Sequence, residues 1–173
     1  MEKRILLDTS VYGKLAEDDT LFTLLLDKKK IVDMVFYGCT IIRNELRATP
    51  KEIREMNKSL RLHLLYLYDS LITKEHHNLL INEFVEILAK KYMVEYKKHD
   101  RNISYGQMES DFFIVALATI YQMDIVVSND RRTLLSNPAT EAYEIVNTQQ
   151  GFRNPKYLHY DMFKRKIFTG SDI

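Results

Sequence analysis

Four acidic residues of this chain occupy positions where acids are unusual. Asp8 and Asp130 follow short apolar runs, and Glu45 and Asp111 interrupt the apolar faces of predicted helices. Carboxylates crowded together repel each other and raise each other's pKa values unless a cation lies between them. Magnesium and manganese suit all-oxygen ligand sets, and such ions activate water and stabilise charge on a phosphodiester. The pattern therefore indicates metal-dependent hydrolysis of phosphodiester bonds.

Two apolar runs position the first and last of these acids. Residues 5–7 end at Asp8, and residues 125–127 are followed three positions later by Asp130. Runs this short, apolar at consecutive positions, are typical of strands that are buried on both faces of a parallel sheet. The crossover rule brings the carboxyl ends of such strands to one edge of the sheet. We therefore expect Asp8 and Asp130 at the same edge of an α/β fold.

Glu45 lies on a helix predicted between Thr40, as its cap, and Pro50, which ends it. Ile41 and Ile42 precede Glu45 by four and three positions, so all three share one helix face. A carboxylate on an apolar helix face points towards the interior of the fold, where an unpaired charge is costly. Glu45 is therefore a candidate site residue.

Asp111 lies on a second predicted helix, which begins at a capping-box pattern formed by Ser104 and Gln107. Val115 and Ala118, four and seven residues further on, share its face. This helix is apolar on nearly every side after its first turns, which predicts a central position in the fold.

We divide the rest of the chain into elements by its hydrophobic periodicity and by the residues that end helices and strands. Residues 51–73 and 77–98 are strongly amphipathic and predict an inserted helical hairpin, about 51–99. The tail from about 149 to 173 is basic and aromatic, and no element is predicted in it. We expect one domain over residues 1–173. The remaining predicted elements are helix 11–17 capped by Thr9 or Ser10, helix 21–30, strand 32–37 closed by Gly38, helix 131–136 and a last strand at 144–147.

Composition restricts the possible classes of protein. The chain has 173 residues, a net charge of +1 and one cysteine, Cys39. One cysteine excludes an internal disulfide and fits a reducing compartment. The sequence contains neither a signal peptide nor an apolar run long enough for a membrane, so we expect a cytoplasmic protein without membrane contact.

Net charge gives no global argument for nucleic-acid binding, so an RNA-binding surface must be a local patch. Arg43 and Arg47 flank Glu45, and Arg131 and Arg132 follow Asp130. These arginines are candidates for gripping RNA phosphates, although surface arginines in loose ion pairs are an equally good interpretation. The five histidines lack the spacing of metal ligands.

Each acid also has an interpretation without function. Asp8 and Asp130 are suited to turns and helix caps. The Glu45 side chain can extend to solvent, and the positive end of a nearby helix dipole can stabilise the charge of Asp111. Taken together, these interpretations must explain four acids at topologically matched places, which favours the site.

The motifs around these acids resemble the PIN domain, the nuclease fold of VapC-type toxins. The resemblance covers residues 3–148 and rests on the order and spacing of four motifs. Ser128 matches the family's small hydroxyl residue two positions before the last acid, Asn129 lies between them, and Ser10 matches the polar residue after the first acid. The matching segments are ILLDTSVYGKL, IIRNELRA, SDFFIVALATIYQ and IVVSNDRRTL.

The resemblance implies a PIN-like three-layer α/β/α fold with a central parallel sheet, and a ribonuclease dependent on Mg²⁺ or Mn²⁺. It implies that Asp8, Asp111 and Asp130 bind the metal. Glu45 would hold a second ion or orient the attacking water. RNA is the implied substrate, a homodimer the implied assembly and an antitoxin protein the implied partner. The segment 51–99 is longer than in compact VapC toxins and the C-terminal tail is extra, which weakens the toxin assignment without affecting the site.

Two other classes of function stay open at this point. One is a catalytically silent PIN-like module that binds RNA or protein, which the presence of all four acids argues against. The other is a phosphotransfer domain of the haloacid-dehalogenase or receiver type, which also places an aspartate after its first strand. The sequence around Asp8 lacks the second acid of a dehalogenase, and no paired acids precede it as in a receiver.

Overall fold

The computed structural model describes residues 2–31, 34–50, 52–55, 58–99 and 105–170. A five-stranded parallel sheet and a separate two-stranded antiparallel pair are connected by helices and one 3-10 turn. The elements in chain order are β1 (Lys3–Leu7), α1 (Thr9–Ala16), α2 (Asp19–Ile31), β2 (Met34–Cys39), α3 (Thr40–Ala48), β3 (Arg54–Glu55), β4 (Lys58–Ser59), α4 (Leu60–Leu71), the 3-10 turn (Glu75–His77), β5 (Asn78–Leu79), α5 (Glu83–His99), α6 (Tyr105–Ile120), β6 (Ile125–Ser128), α7 (Asn137–Gln150), β7 (Lys156–His159) and α8 (Tyr160–Thr169).

The large sheet has the strand order β5-β2-β1-β6-β7, and all four neighbouring pairs are parallel. Strand β1 is central: Ile5 pairs with Phe36 on one side and with Ile125 on the other. Residues 5–7 and all of β6 are buried, which confirms that these strands are covered on both faces. The predicted fold class is confirmed.

The helices cover the sheet in two layers. The chain moves outward from β1 through β2 to β5, so right-handed crossovers place α1 to α4 on one face. It then returns across the sheet to β6 and β7, which places α5 to α7 on the other face. Contacts follow this division: α4 packs on α1 and α3, and α5 packs on α6 and α7. Within the described ranges, no helix combines the length and apolarity needed to cross a membrane.

The two helices predicted at 51–73 and 77–98 begin later than predicted, at residues 60 and 83. Before α4, strands β3 and β4 pair in antiparallel orientation. Before α5, strand β5 joins the edge of the large sheet beside β2. The apolar stripes continue through these segments, which is why periodicity alone extended both helices. Since α4 and α5 pack in different layers, they do not form the predicted hairpin.

The C-terminal third differs most from the prediction. The strand predicted at 144–147 lies inside α7, and β7 is the fifth strand of the sheet. The Ser136 side chain caps α7 by accepting from the Ala139 amide, and Gly151 ends it in the left-handed conformation with φ of 71°. The tail left unassigned from 149 therefore forms β7 and α8. The capping-box prediction at Ser104 lies outside the described residues.

Candidate functional site at the carboxyl edge of the sheet

Asp8 leaves β1 at the carboxyl edge of the sheet. Its amide donates to the Val127 carbonyl at 2.9 Å, which continues the pairing of β1 with β6 by one residue. Its Oδ1 atom accepts from the Thr9 amide at 2.7 Å, so Asp8 caps α1; the prediction of Thr9 or Ser10 as the cap is wrong. An aspartate fits this role because its oxygen satisfies a donor that the first helical turn leaves open.

Two serine hydroxyls hold the second oxygen of Asp8. Asp8 Oδ2 accepts from Ser10 Oγ at 2.6 Å and from Ser128 Oγ at 2.8 Å. The same hydroxyls accept from the loop after β6: the Asn129 amide donates to Ser10 Oγ at 2.9 Å, and the Asp130 amide donates to Ser128 Oγ at 3.0 Å. Both serines and the Asn129 backbone therefore join the two loops that carry Asp8 and Asp130.

Burial raises the pKa of Asp8, which is 5% exposed. The hydrogen bonds from Ser10, Ser128 and the Thr9 amide oppose this shift, and the charge of Glu45 adds to it. The carboxylate is thus fixed in orientation, and its three hydrogen bonds only partly offset the effect of burial on its charged form.

Glu45 reaches the site from α3. Ile42 and Leu46 on this helix are buried against the core, and Glu45 is half-buried. Glu45 Oε2 accepts from Thr9 Oγ1 at 2.5 Å. Because the Thr9 amide also donates a hydrogen bond to Asp8, this one residue links both acids.

Asp130 is held by the turn that follows β6. Its Oδ1 atom accepts from the amides of Arg132 at 2.7 Å and Thr133 at 3.0 Å, and its Oδ2 atom accepts from Thr133 Oγ1 at 2.8 Å. Burial pushes the pKa of Asp130 up, but these hydrogen bonds outweigh it and hold the pKa below its usual value. The helix predicted at 131–136 is a series of turns, and the Asp130 side chain accepts two of the amides within it.

Asp111 approaches from α6, and its pKa is raised to about 7. Burial is the largest cause; a hydrogen bond with the Thr133 side chain lowers the pKa, and the charges of Asp8, Asp130 and Glu45 raise it. The charges of the other three predicted acids thus reach Asp111, and the charge of Glu45 also reaches Asp8. Thr133 bonds to both Asp111 and Asp130, as Thr9 does to Asp8 and Glu45.

Thr9 and Thr133 were not predicted as site residues. Thr9 was considered only as a helix cap. Thr133 carries the signal that would have identified it, since a threonine three residues after an aspartate often closes a local side-chain turn.

The four arginines predicted to bind RNA differ in their surroundings. Arg43 is ion-paired with Asp69 on α4, with Nη2 and Oδ2 3.2 Å apart. Arg47 and Arg132 are exposed. Arg131 extends along the edge towards β7, where its Nη2 atom lies 3.3 Å from His159 Nδ1. Arg131 and Arg132 follow Asp130 directly and lie nearest to it in the chain.

The donor set suits a hard divalent cation. It consists of carboxylate and hydroxyl oxygens, which are the ligands that such ions prefer. Burial first, and then the charges of the other three acids, raise the pKa of Asp111. Among the residues that the structure describes, no three or more His, Cys, Asp or Glu side chains lie close enough together to hold a metal ion as they stand.

The parallel sheet flanked by helices is a PIN-like three-layer fold of the VapC type. No protein-family model and no curated protein matches this chain. A chain in the structure of VapBC-1 from nontypeable Haemophilus influenzae has a TM-score of 0.56 and 13% identity, over 91% of this chain and 98% of that one. A chain in VapBC2 from Rickettsia felis, solved bound to a DNA fragment from their promoter, has a TM-score of 0.56 and 12% identity, over 90% and 98%. At these identities the likeness establishes the fold alone.

Proposed function

We propose that this chain is a ribonuclease that hydrolyses RNA phosphodiester bonds with a divalent cation, Mg²⁺ or Mn²⁺. The observation that carries the proposal is the meeting of Asp8 and Asp130 at one edge of the sheet, where serine hydroxyls join their loops. At the same edge burial, and then the charges of the other three acids, raise the pKa of the half-buried Asp111. Such an arrangement is costly to the folded chain and is explained by a cation that uses it. The VapC-like fold supports the same conclusion by analogy.

Asp8, Asp111 and Asp130 are the proposed metal ligands, and Glu45 is proposed to hold a second ion or to orient the attacking water. A divalent cation bound by these oxygens supplies activation of water and neutralisation of charge on the phosphate. Asp8 and Asp130 are already oriented by three hydrogen bonds each. Asp111, with a pKa of about 7, is only partly ionised near neutral pH, so a cation held by this carboxylate would displace the remaining proton.

In this proposal, hydroxyl groups around the acids hold the acids in position for the reaction. The Thr9 hydroxyl donates to one oxygen of Glu45 and so restrains the orientation of this carboxylate. Ser10 and Ser128 keep Asp8 and the Asp130 loop in register. Water is the nucleophile, so the reaction is a direct hydrolysis without a covalent enzyme intermediate.

Cleavage of single-stranded RNA by the purified chain tests the proposal. We expect cleavage in Mg²⁺ or Mn²⁺ that stops in excess chelator and returns when the metal is restored. Glu45→Gln is expected to lower the rate about 100-fold or more. Glu141→Gln is the matched control, because Glu141 is an exposed carboxylate on α7 whose side chain is 61% accessible. Cleavage that persists in excess chelator would contradict the metal mechanism.

We further propose a homodimer and a complex with an antitoxin protein, by analogy with the VapBC complexes that share the fold. A solution mass of twice the 20.5 kDa chain mass would support the dimer, and a mass equal to the chain would contradict it.

The cytoplasm is the proposed location, because the one cysteine, Cys39, is a free buried thiol.

A further inference from the structure

A cleft of about 280 Å³ opens beside the acid site, between the loop after β6 and the start of α8. Arg131, His159, Asp161, Met162 and Arg165 line it. Ser128 pairs with His159 in the sheet, so the strands that lead into the acid site and into the cleft end side by side. The cleft thus continues the same carboxyl edge that carries Asp8.

Two guanidinium groups give the cleft a positive charge. Arg131 Nη2 lies 3.3 Å from His159 Nδ1, and Arg165 Nη2 lies 3.4 Å from the sulfur of Met162. Within the described part of the chain, neither arginine is ion-paired with a carboxylate. Asp161 is the only acid among the lining residues, and it lies 3.2 Å from His159 Nδ1 with a side chain that is 74% exposed. Two positive charges therefore face one negative charge.

The imidazole of His159 adds a hydrogen-bond donor. Its Nδ1 atom accepts from the Asp161 amide at 3.3 Å and caps α8, which begins at the cleft. When Nδ1 accepts, the ring proton lies on Nε2, which can donate to an anion. A helix N-terminus adds a weaker attraction for negative charge.

Planar guanidinium donors are the groups that bind phosphate oxygens best in proteins. A phosphodiester strand that has one phosphate at the acids and follows this edge would bring a neighbouring phosphate to the cleft. We propose that the cleft of Arg131, His159 and Arg165 binds a backbone phosphate of the RNA strand next to the bond that is cut. This inference rests on the proposed ribonuclease function and extends it by assigning His159 and Arg165 as substrate-binding residues.

Binding of a labelled single-stranded RNA, measured by fluorescence anisotropy in Mn²⁺, tests this assignment. Glu45→Gln serves as the parent chain, so that the RNA stays intact during the measurement. Adding Arg165→Ala is expected to weaken binding about 5-fold or more, which is the loss of one charge-assisted contact. The slope of log affinity against log salt is expected to fall by about 0.7.

Arg153→Ala is the matched control, because it removes an arginine at the opposite edge of the sheet, where Arg153 Nη2 pairs with Asp124. We expect this change to leave binding within about 2-fold, the limit of a screened surface charge. Phosphate contacts do not read bases, so Arg165→Ala is expected to weaken oligouridine and oligoadenine equally.

The outcomes separate the two proposals. If the parent chain binds RNA but Arg165→Ala and Arg131→Ala behave as Arg153→Ala does, the cleft is not a phosphate site, and the ribonuclease proposal is unaffected. A loss confined to one base would mean that the cleft reads a base and would overturn the phosphate assignment. If the wild-type chain neither binds nor cleaves RNA in Mn²⁺, both proposals are overturned.

Discussion

Replacing Asp111 with asparagine is expected to stabilise the metal-free protein. Asp111 is a half-buried acid whose pKa is raised from 3.8 to about 7, first by burial and further by the charges of Asp8, Asp130 and Glu45. Its ionised form is therefore less favourable in the folded chain than in the unfolded chain. Asparagine carries no charge at any pH and removes this penalty.

The direction of the pH dependence follows from the two pKa values. Between about pH 4 and pH 7 the unfolded chain has released the Asp111 proton while the folded chain retains it, so raising the pH favours unfolding. The penalty is absent below this window and complete above it. A shift of about 3 pKa units corresponds to an upper limit of ~4 kcal/mol.

The measurable effect is smaller than this limit. Asp111 is partly accessible, and asparagine changes the hydrogen bond with Thr133. We expect Asp111→Asn to gain about 1–3 kcal/mol at pH 8, or about 3–10 °C in Tm for a domain of this size. At about pH 4 the wild type is also neutral at this position, and the difference should vanish.

Thermal unfolding by circular dichroism in excess chelator, from about pH 4 to pH 8, measures this difference. Asp124→Asn is the control with the opposite sign. Burial pushes the pKa of Asp124 up, but the Arg4 amide and Arg153 outweigh it, so the ionised form stabilises the fold above the ordinary pKa. Asp124→Asn should therefore lower Tm at pH 8. A Tm of Asp111→Asn at or below that of the wild type at pH 8 would refute the argument that burial and neighbouring charges make the ionised Asp111 destabilising.

Two further substitutions, each with its own control substitution, test the packing and the hydrogen bonds that position the site. Ser128→Ala removes the buried hydroxyl that donates to Asp8 Oδ2 and accepts from the Asp130 amide. We expect this change to lower the free energy of unfolding, measured in urea, by about 1–3 kcal/mol. We also expect the affinity for Mn²⁺ to fall about 10–100-fold. Ser136→Ala, which removes the cap of α7, should lower stability by about 1 kcal/mol and leave metal affinity unchanged; equal metal affinities in both variants would contradict the role given to Ser128. Gly38→Ala should cost about 1–3 kcal/mol in the same assay, because the Tyr68 ring and hydroxyl occupy the space that a Cβ would need. Gly13→Ala in α1 meets no neighbour and should be neutral or stabilising, so similar effects at both glycines would contradict the packing account.

The central strands were predictable because their apolar sequences match their buried positions in the sheet. The consecutive apolar residues of β1 and β6 are buried on both faces of the sheet, so neither strand needs a polar face. The crossover rule then brings Asp8 and Asp130 to one edge of the sheet. Glu45 and Asp111 were identified because an acid on an apolar helix face needs an explanation.

Other elements depend on interactions that local sequence does not encode. Strand β5 is two residues long and pairs with Gly38 and Cys39 at the far end of β2, so periodicity assigned it to a helix. The helix α7 was missed although Ser136 and Gly151 mark its ends, because two apolar residues in 144–147 suggested a strand. The roles of Thr9 and Thr133 depend on which carboxylates the fold brings within reach of their hydroxyls.

The most direct test of the central claim is thermal unfolding of the wild type and Asp8→Asn, with and without Mn²⁺. Metal bound by the folded chain alone at 100 times its Kd adds about 2.7 kcal/mol, which corresponds to a rise of about 5–10 °C in Tm. We expect this rise in the wild type and in Asp124→Asn, and none in Asp8→Asn. A rise of equal size in Asp8→Asn, or none in the wild type, would mean that the carboxyl-edge acids are not a metal site.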